Sequence, residues 1–238
     1  MNIRSLLLGV AAAITVSAGA SAASASITIT DVETANSNGQ YGTVTVSGWG
    51  QPWTTPILMK DDTGKTFVVF CDDLQHDVYV AGGQSLPYHL GLVKTDGFGN
   101  LLGDLSSGPY TPAEEDAAEA ISNRMGQLAD IGRADYLAGN LKAADAAQAA
   151  IWSVEYAEHG WVVSASDPTV QSYLIDYLKV ADNGRGWAKG LIADGGTQSQ
   201  ILGAVPEPAT WAMFICGLGM IGMVLRRRRS SDLAVSAA

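Results

Sequence analysis

Cysteine is nearly missing from this chain: among 238 residues there are only Cys71 and Cys216. Cys216 falls inside an uncharged apolar run near the C-terminus, so the region ahead of that run holds one thiol and no internal disulfide. In an oxidising compartment a lone cysteine is buried and inert, paired with another chain, or committed to other chemistry. Basic residues are also scarce. Arg4 and Arg226 to Arg229 take five of the 14 Lys and Arg, and Glu207 and Asp232 two of the 24 Asp and Glu, which leaves residues 26–204 with nine cations against 22 carboxylates. That excess argues against nucleic acid and anionic lipid headgroups as partners, since both need basic patches, and suits a well-solvated exported surface. Histidine is limited to His76, His89 and His159. A cysteine–histidine hydrolase would have to pair one of these with Cys71, yet no nucleophile signature surrounds the cysteine. Asp72, Asp73, His76 and Asp77 match no calcium loop and read as a solvated acidic turn. The expectation is a protein that is not an enzyme and carries no metal or cofactor. It contains no internal repeat.

Long apolar runs are confined to the two ends. Residues 1–25 carry an early positive charge at Arg4, an apolar run from Leu6 to Val16, and Ala-x-Ala sites at Ala20–Ala22 and Ala23–Ala25. This is the pattern of a Sec-type signal peptide removed near Ala23 or Ser26. At the other end, Pro206, Glu207 and Pro208 precede 17 uncharged residues, Ala209 to Leu225, and then Arg226, Arg227, Arg228 and Arg229. At 1.5 Å per residue such a run makes a helix of about 25 Å, slightly short of a hydrocarbon core of about 30 Å, so it spans with local thinning or snorkelling. The arginines keep their side of the run cytoplasmic and leave everything before Pro206 outside. Each proline disfavours helix in the residue before it, which leaves Glu207 extended and within reach of an enzyme above the membrane. The tail VPEPATWAMFICGLGMIGMVLRRRR resembles the PEP-CTERM sorting signal of bacterial envelope proteins. The resemblance implies export through the inner membrane and processing by an exosortase, a membrane transpeptidase-like protease. It points to the cell surface or to the exopolysaccharide matrix of a biofilm.

Between the ends, Ser26 to Thr30 and Gly42 to Ser47 show β-branched alternation and read as two strands that pair across the turn-rich NSNG. Trp49, Pro52, Trp53 and Pro56 mark a loop, Asp62-Thr63-Gly64 a turn, and Lys65 to Cys71 (KTFVVFC) a strand apolar enough for burial on both faces. VYVAG and LPYHLGLV continue the β structure, with a turn at DGFGN. The character then switches. Thr111-Pro112-Ala113-Glu114 is a capping box with proline at the first helical position, and it opens an Ala-rich helix to about Asn123. Further helical pieces cover Met125 to Ile131 and Leu141 to about Tyr156. Asp167-Pro168 starts another, with Val170, Leu174, Tyr177 and Leu178 on one face and Asp182-Asn183-Gly184 as its end. The fold class is α+β, a β-rich N-terminal half followed by a helical half, with a single C-terminal transmembrane helix. The expected division is a signal peptide at 1–25, an extracytoplasmic domain at 26–195, a polar linker at 196–204, the sorting signal at 205–229 with its membrane helix at 209–225, and a cytoplasmic tail at 230–238.

Two stretches of the extracytoplasmic part stand out. FCDDL, Phe70 to Leu74, ends the apolar strand on Cys71. AQAAIW, Ala147 to Trp152, puts Gln148 and Trp152 one helical turn apart on a shared face, with Glu155 a further turn along. Together they resemble the two signatures of bacterial surface thioester domains, in which an aromatic–Cys pair at a strand end is joined to the glutamine of a Thr-Gln-x-Ala-Ile-Trp helix. The resemblance implies Cys71 as the thioester sulfur, Gln148 as the acyl donor and Trp152 as a packing residue beside them; the family's threonine is Ala147 here. It implies a covalent adhesin with amine-bearing surface or matrix targets. From a different class comes a non-covalent structural or glycan-binding envelope protein, for which Trp49, Trp53 and Trp161 offer faces to sugar rings.

Overall fold

The computed structural model describes residues 26–34, 42–74, 76, 78, 85–94, 111–180, 186–194 and 197–203. The short β-branched runs build a closed barrel of β1 (Ser26–Thr34), β3 (Ile57–Asp61), β4 (Thr66–Cys71), β5 (Leu86–Leu92), β7 (Lys189–Ala193) and β8 (Gln200–Leu202). Its order is β1-β3-β4-β8-β7-β5, and every neighbouring pair is antiparallel. β1 closes the ring. Its first half pairs with β5 and its second with β3, and the register shifts between Ile29 and Asp31, a bulge that lets one strand turn from one partner to the other. The β3–β4 hairpin turns through Asp62-Thr63-Gly64 as the sequence indicates. The Asp61 carboxylate fixes it by accepting from Thr63 N (3.0 Å), Thr63 Oγ1 (2.6 Å) and Lys65 N (2.8 Å), and Gly64 supplies the positive φ of 87°.

Two expectations about strands are corrected. β1 does not pair with β2 (Val44–Val46), because both edges of β1 are taken inside the barrel. β2 instead pairs with β6 (Val163–Ala165), which lies in the chain between the second and third helices, held by Ser47 N donating to Val162 O at 2.9 Å and Val162 N donating to Ser47 Oγ at 2.7 Å. The second correction concerns the linker. Gln198, Ser199 and Gln200 are 7%, 3% and 0% exposed, and β8 lies between β4 and β7, so the stretch read as a tether is a barrel strand. The β-rich half is indeed followed by helices, and two strands then return to finish the barrel.

The helices form a layer against one side. α1 (Pro112–Leu137) begins at the expected capping box, Thr111 Oγ1 accepting from Glu114 N at 3.3 Å while Thr111 N donates to Glu114 Oε2 at 2.7 Å. It does not break near Asn123. The Ser122 hydroxyl donates to Val93 O and accepts from Ala188 N at 3.0 Å, so its polar group serves the barrel strands instead of competing for the helix backbone. A turn at Gly139, φ 78°, leads into α2 (Leu141–Glu155), and α3 (Pro168–Tyr177) starts at Asp167 as read, its carboxylate accepting from Thr169 N at 2.8 Å. Val170 and Leu174 are buried and Tyr177 packs against them, whereas Leu178, expected on the same face, is the exposed cap. The anticipated stop at 182–184 lies outside the described residues.

Two cores result. Ile29, Met59, Phe67, Val69, Tyr88 and Leu191 fill the barrel, and a larger cluster lies between β4 and the helices. There α1 approaches closely at Gly132, where an added Cβ would meet Ala147 Cβ and Phe70 Cζ, each at 2.6 Å. Among the described residues no helix is long and apolar enough to cross a membrane. The apolar run 209–225, the signal peptide, VYVAG beyond Val78, DGFGN and the tail lie outside them.

Candidate functional site

α2 is rich in alanine, the residue that best tolerates helix and needs least room, and 12 of its 15 residues are buried. Its small side chains bring the helix axis close to the end of β4. Gln148 on α2 is 1% exposed and Cys71, the last residue of β4, is 6% exposed. The two are clasped together: Cys71 N donates to Gln148 Oε1 at 2.8 Å, and Gln148 Nε2 donates to Cys71 O at 2.7 Å. The side-chain amide thus acts on Cys71 as the peptide of a neighbouring strand would, and this pairing leaves its orientation no choice, since the N–H must meet oxygen and the C=O must meet NH2. Two residues 77 positions apart are joined at both polar ends.

The Cys71 thiol donates to Asp73 O at 2.9 Å. Burial, and then the adjacent Asp72 carboxyl, push its pKa well above that of an ordinary thiol, so it is protonated. The Asp73 backbone and the Trp152 indole beside the sulfur offset part of this. Trp152 is 2% exposed, and its indole N–H has no hydrogen-bond partner of standard geometry among the described residues, so it acts on the sulfur as a nearby dipole. Asp72 is 2% exposed and neither of its oxygens has a partner among the described residues. Burial, reinforced by Asp73, drives the pKa of its carboxyl well up.

A polar network holds the turn after Cys71. Gln198 Nε2 donates to Asp73 O (2.5 Å) and to His76 O (2.7 Å), while Gln200 Nε2 donates to Gln198 Oε1 at 2.9 Å. Tyr88 OH reaches Gln198 O from the barrel interior at 2.9 Å, and the Tyr156 hydroxyl accepts from Leu74 N at 2.7 Å. Gln198 and Gln200 were not singled out from the sequence, where they fall in the stretch read as linker. Only their spacing, alternating about Ser199 in strand fashion, carried a signal.

Beside the clasp is a cleft of about 490 Å³, reached by Cys71, Gln148, Trp152, His76, Trp49 and Trp53 among others. The three histidines separate here. His76 is on the cleft wall with Nδ1 against the Asp73 carboxylate. His89 pairs with Asp194 at 2.8 Å on the barrel, and His159 stacks on Trp161 at 4.8 Å between centroids. Trp49 and Trp53 are 47% and 63% exposed at the cleft, whereas Trp161 is held in a stack with Tyr156 at 4.9 Å and is not part of it. Among the described residues no three His, Cys, Asp or Glu side chains converge as a metal site. Pro206, Glu207, Pro208 and Arg226 to Arg229 lie outside the described residues, as does Asp77.

Chemically, the clasp holds the Gln148 carboxamide against the backbone of the residue that carries the thiol. The Cys71 N–H on Oε1 polarises the carboxamide and would hold the charge that develops on that oxygen when the acyl carbon is attacked. Ala147, where the thioester-domain signature has threonine, is fully buried against the α1 contact at Gly132, so the close approach of α1 and α2 leaves no room there for a branched side chain.

Residues 204–229 match the PEP-CTERM protein-sorting motif. No curated protein matches the chain. Among solved structures the chain is similar to the N-terminal thioester domain of a surface protein from Clostridium perfringens, at 12% identity and a TM-score of 0.38 over 63% of this chain and 88% of that one. It is also similar to the N-terminal thioester domain of the fibronectin-binding protein SfbI from Streptococcus pyogenes, at 13% identity and a TM-score of 0.42 over 72% of this chain and 97% of that one. At TM-scores this low the likeness carries nothing over to the site.

Proposed function

We propose that this chain is a covalent adhesin of the cell surface or exopolysaccharide matrix, in which residues 26–203 carry an internal thioester between Cys71 and Gln148. The sorting motif at 204–229 implies export, membrane anchoring before processing, and an exosortase as processing enzyme. One observation supports the covalent part above the rest: both polar ends of the Gln148 amide are engaged by Cys71. Attack by Sγ on Cδ of Gln148 forms the C–S bond, the Cδ–Nε2 bond breaks, and ammonia departs with the thiol proton. The resulting acyl group is far more electrophilic than an amide, and an amine on a surface or matrix target then displaces the sulfur once. A single capture without turnover is not enzymatic catalysis.

The same bond would close a long loop and brace barrel against helices, a crosslink worth about 4–5 kcal/mol by analogy with disulfides. The run 209–225 serves as a temporary anchor, and protein recovered from the surface is expected to end near Pro206 to Pro208 and to lack Trp211 onward. Methylamine tests the covalent reading. It should add once, at Gln148, and free a titratable thiol at Cys71; a native protein that methylamine leaves unlabelled would remove the thioester. A second reading, non-covalent glycan binding, is favoured by the exposure of Trp49 and Trp53 at the cleft, where each offers a flat face to a sugar ring.

A further inference from the structure

Acyl transfer from a buried thioester meets a proton problem. The attacking amine must lose a proton as it bonds to the acyl carbon, and the departing sulfur must gain one, because burial beside Asp72 makes the Cys71 thiolate unfavourable. Cys71 and Gln148 are themselves only 6% and 1% exposed, so bulk water does not surround the reacting atoms. A side chain that accepts and returns a proton is needed on the wall of the cleft, and the described residues offer His76.

Its setting suits the task. Nδ1 lies against the Asp73 carboxylate, which accepts, so in the neutral ring Nδ1 carries the hydrogen and Nε2 is the nitrogen with the lone pair. Gln198 Nε2 holds both Asp73 O and His76 O, which fixes the turn that carries the pair, and the His76 side chain is 50% exposed, open to an incoming molecule. His89 and His159 are engaged elsewhere and do not line the cleft.

We infer that His76, oriented by Asp73, takes the proton from the nucleophile that attacks the Cys71–Gln148 acyl bond and delivers it to the leaving sulfur. This rests on the thioester reading. The N–Cδ bond forms, the Cδ–Sγ bond breaks, the amine proton passes through Nε2 of His76 to Sγ, and the products are an amide at Gln148 and a neutral thiol at Cys71. His76 is the group that meets the nucleophile, and Asp73 is a positioning residue behind it.

The test uses the exported chain with methylamine as probe. Intact mass before the amine is added reports the thioester as the loss of one ammonia, and the rate of methylamine addition reports the transfer. His76→Asn and His76→Gln should both keep the mass deficit and the melting temperature, slow addition by about 10²-fold, and lose one inflection of the pH–rate profile. His76→Ala should be partly rescued by added imidazole, which a merely structural role would not permit. Unchanged rates in variants that keep the deficit would overturn the assignment while leaving the thioester standing, as would slowed rates with an unaltered pH profile and no rescue. A deficit lost only in the variants would move His76 to the forming of the bond and also overturn the transfer role. A deficit missing from the unaltered chain would remove both readings together.

Discussion

The barrel interior and the seam between β4 and α2 are equally dry and are made of opposite materials. Inside the barrel, Ile29, Met59, Phe67, Val69 and Leu191 meet with no polar side-chain atom, and the hydroxyl of Tyr88 leaves the cluster to reach Gln198 O. At the seam, Asp72, Asp73, Gln148, Glu155, Gln198 and Gln200 are all buried, each 7% exposed or less. Apolar burial stabilises at about 25 cal/mol per Å², whereas a buried hydrogen bond returns only about 1 kcal/mol net and a buried carboxyl costs. Asp61, Ser122 and Asp145 are buried polar groups elsewhere, and the seam is where such groups are most concentrated.

That contrast can be broken from either side. Phe70 belongs to the helix-side core, its ring against Gly132, and Phe70→Ala should cost about 3–5 kcal/mol in chemical denaturation. Gln148→Leu, made in a Cys71→Ala chain so that no crosslink is at stake, keeps the volume and strands the N–H and C=O at position 71, so it should cost about 2–4 kcal/mol relative to Cys71→Ala, although it makes the seam more apolar. Were the seam ordinary core, the leucine would be neutral or stabilising in the same unfolding measurement. Gln198→Leu should cost about 1–3 kcal/mol and loosen the turn after Cys71, seen as faster amide hydrogen exchange at Leu74.

The last effect depends on pH. Burial raises the Asp145 carboxyl to about 6, Thr55 offsetting it and Asp167 adding to it. A raised folded value means that the folded chain keeps this proton where the unfolded chain has lost it. The contribution to stability is therefore full below the ordinary value of 3.8 and is lost as pH rises through about 6. Asp145→Asn removes that loss and should gain about 2 kcal/mol over the unaltered chain between about pH 4 and about pH 8, read as the difference between thermal unfolding at the two values.

Much of the architecture was legible because local chemistry and fold agreed. The capping box at Thr111, the start at Asp167-Pro168, the turn at Asp62-Thr63-Gly64 and the apolar strand ending at Cys71 are all where their residues indicate. The failures share a cause. Ser122, Gln198 and Gln200 are polar residues whose partners come from remote segments, so their burial leaves no mark in the local pattern. β1 and β2 alternate as paired strands do, but alternation says only that a strand has an inner face and not which neighbour it takes. The meeting of Cys71 and Gln148 was accessible through motif resemblance and not through periodicity, and the Asp73–His76 pair on the same cleft was visible only as an acidic turn.

The central claim is a bond, and intact mass reads it most directly. The purified exported chain, kept away from amines and then denatured with an alkylating reagent present, should be lighter than its sequence by one ammonia and should take up no reagent at Cys71. Full sequence mass with one alkyl group on Cys71 would contradict the account.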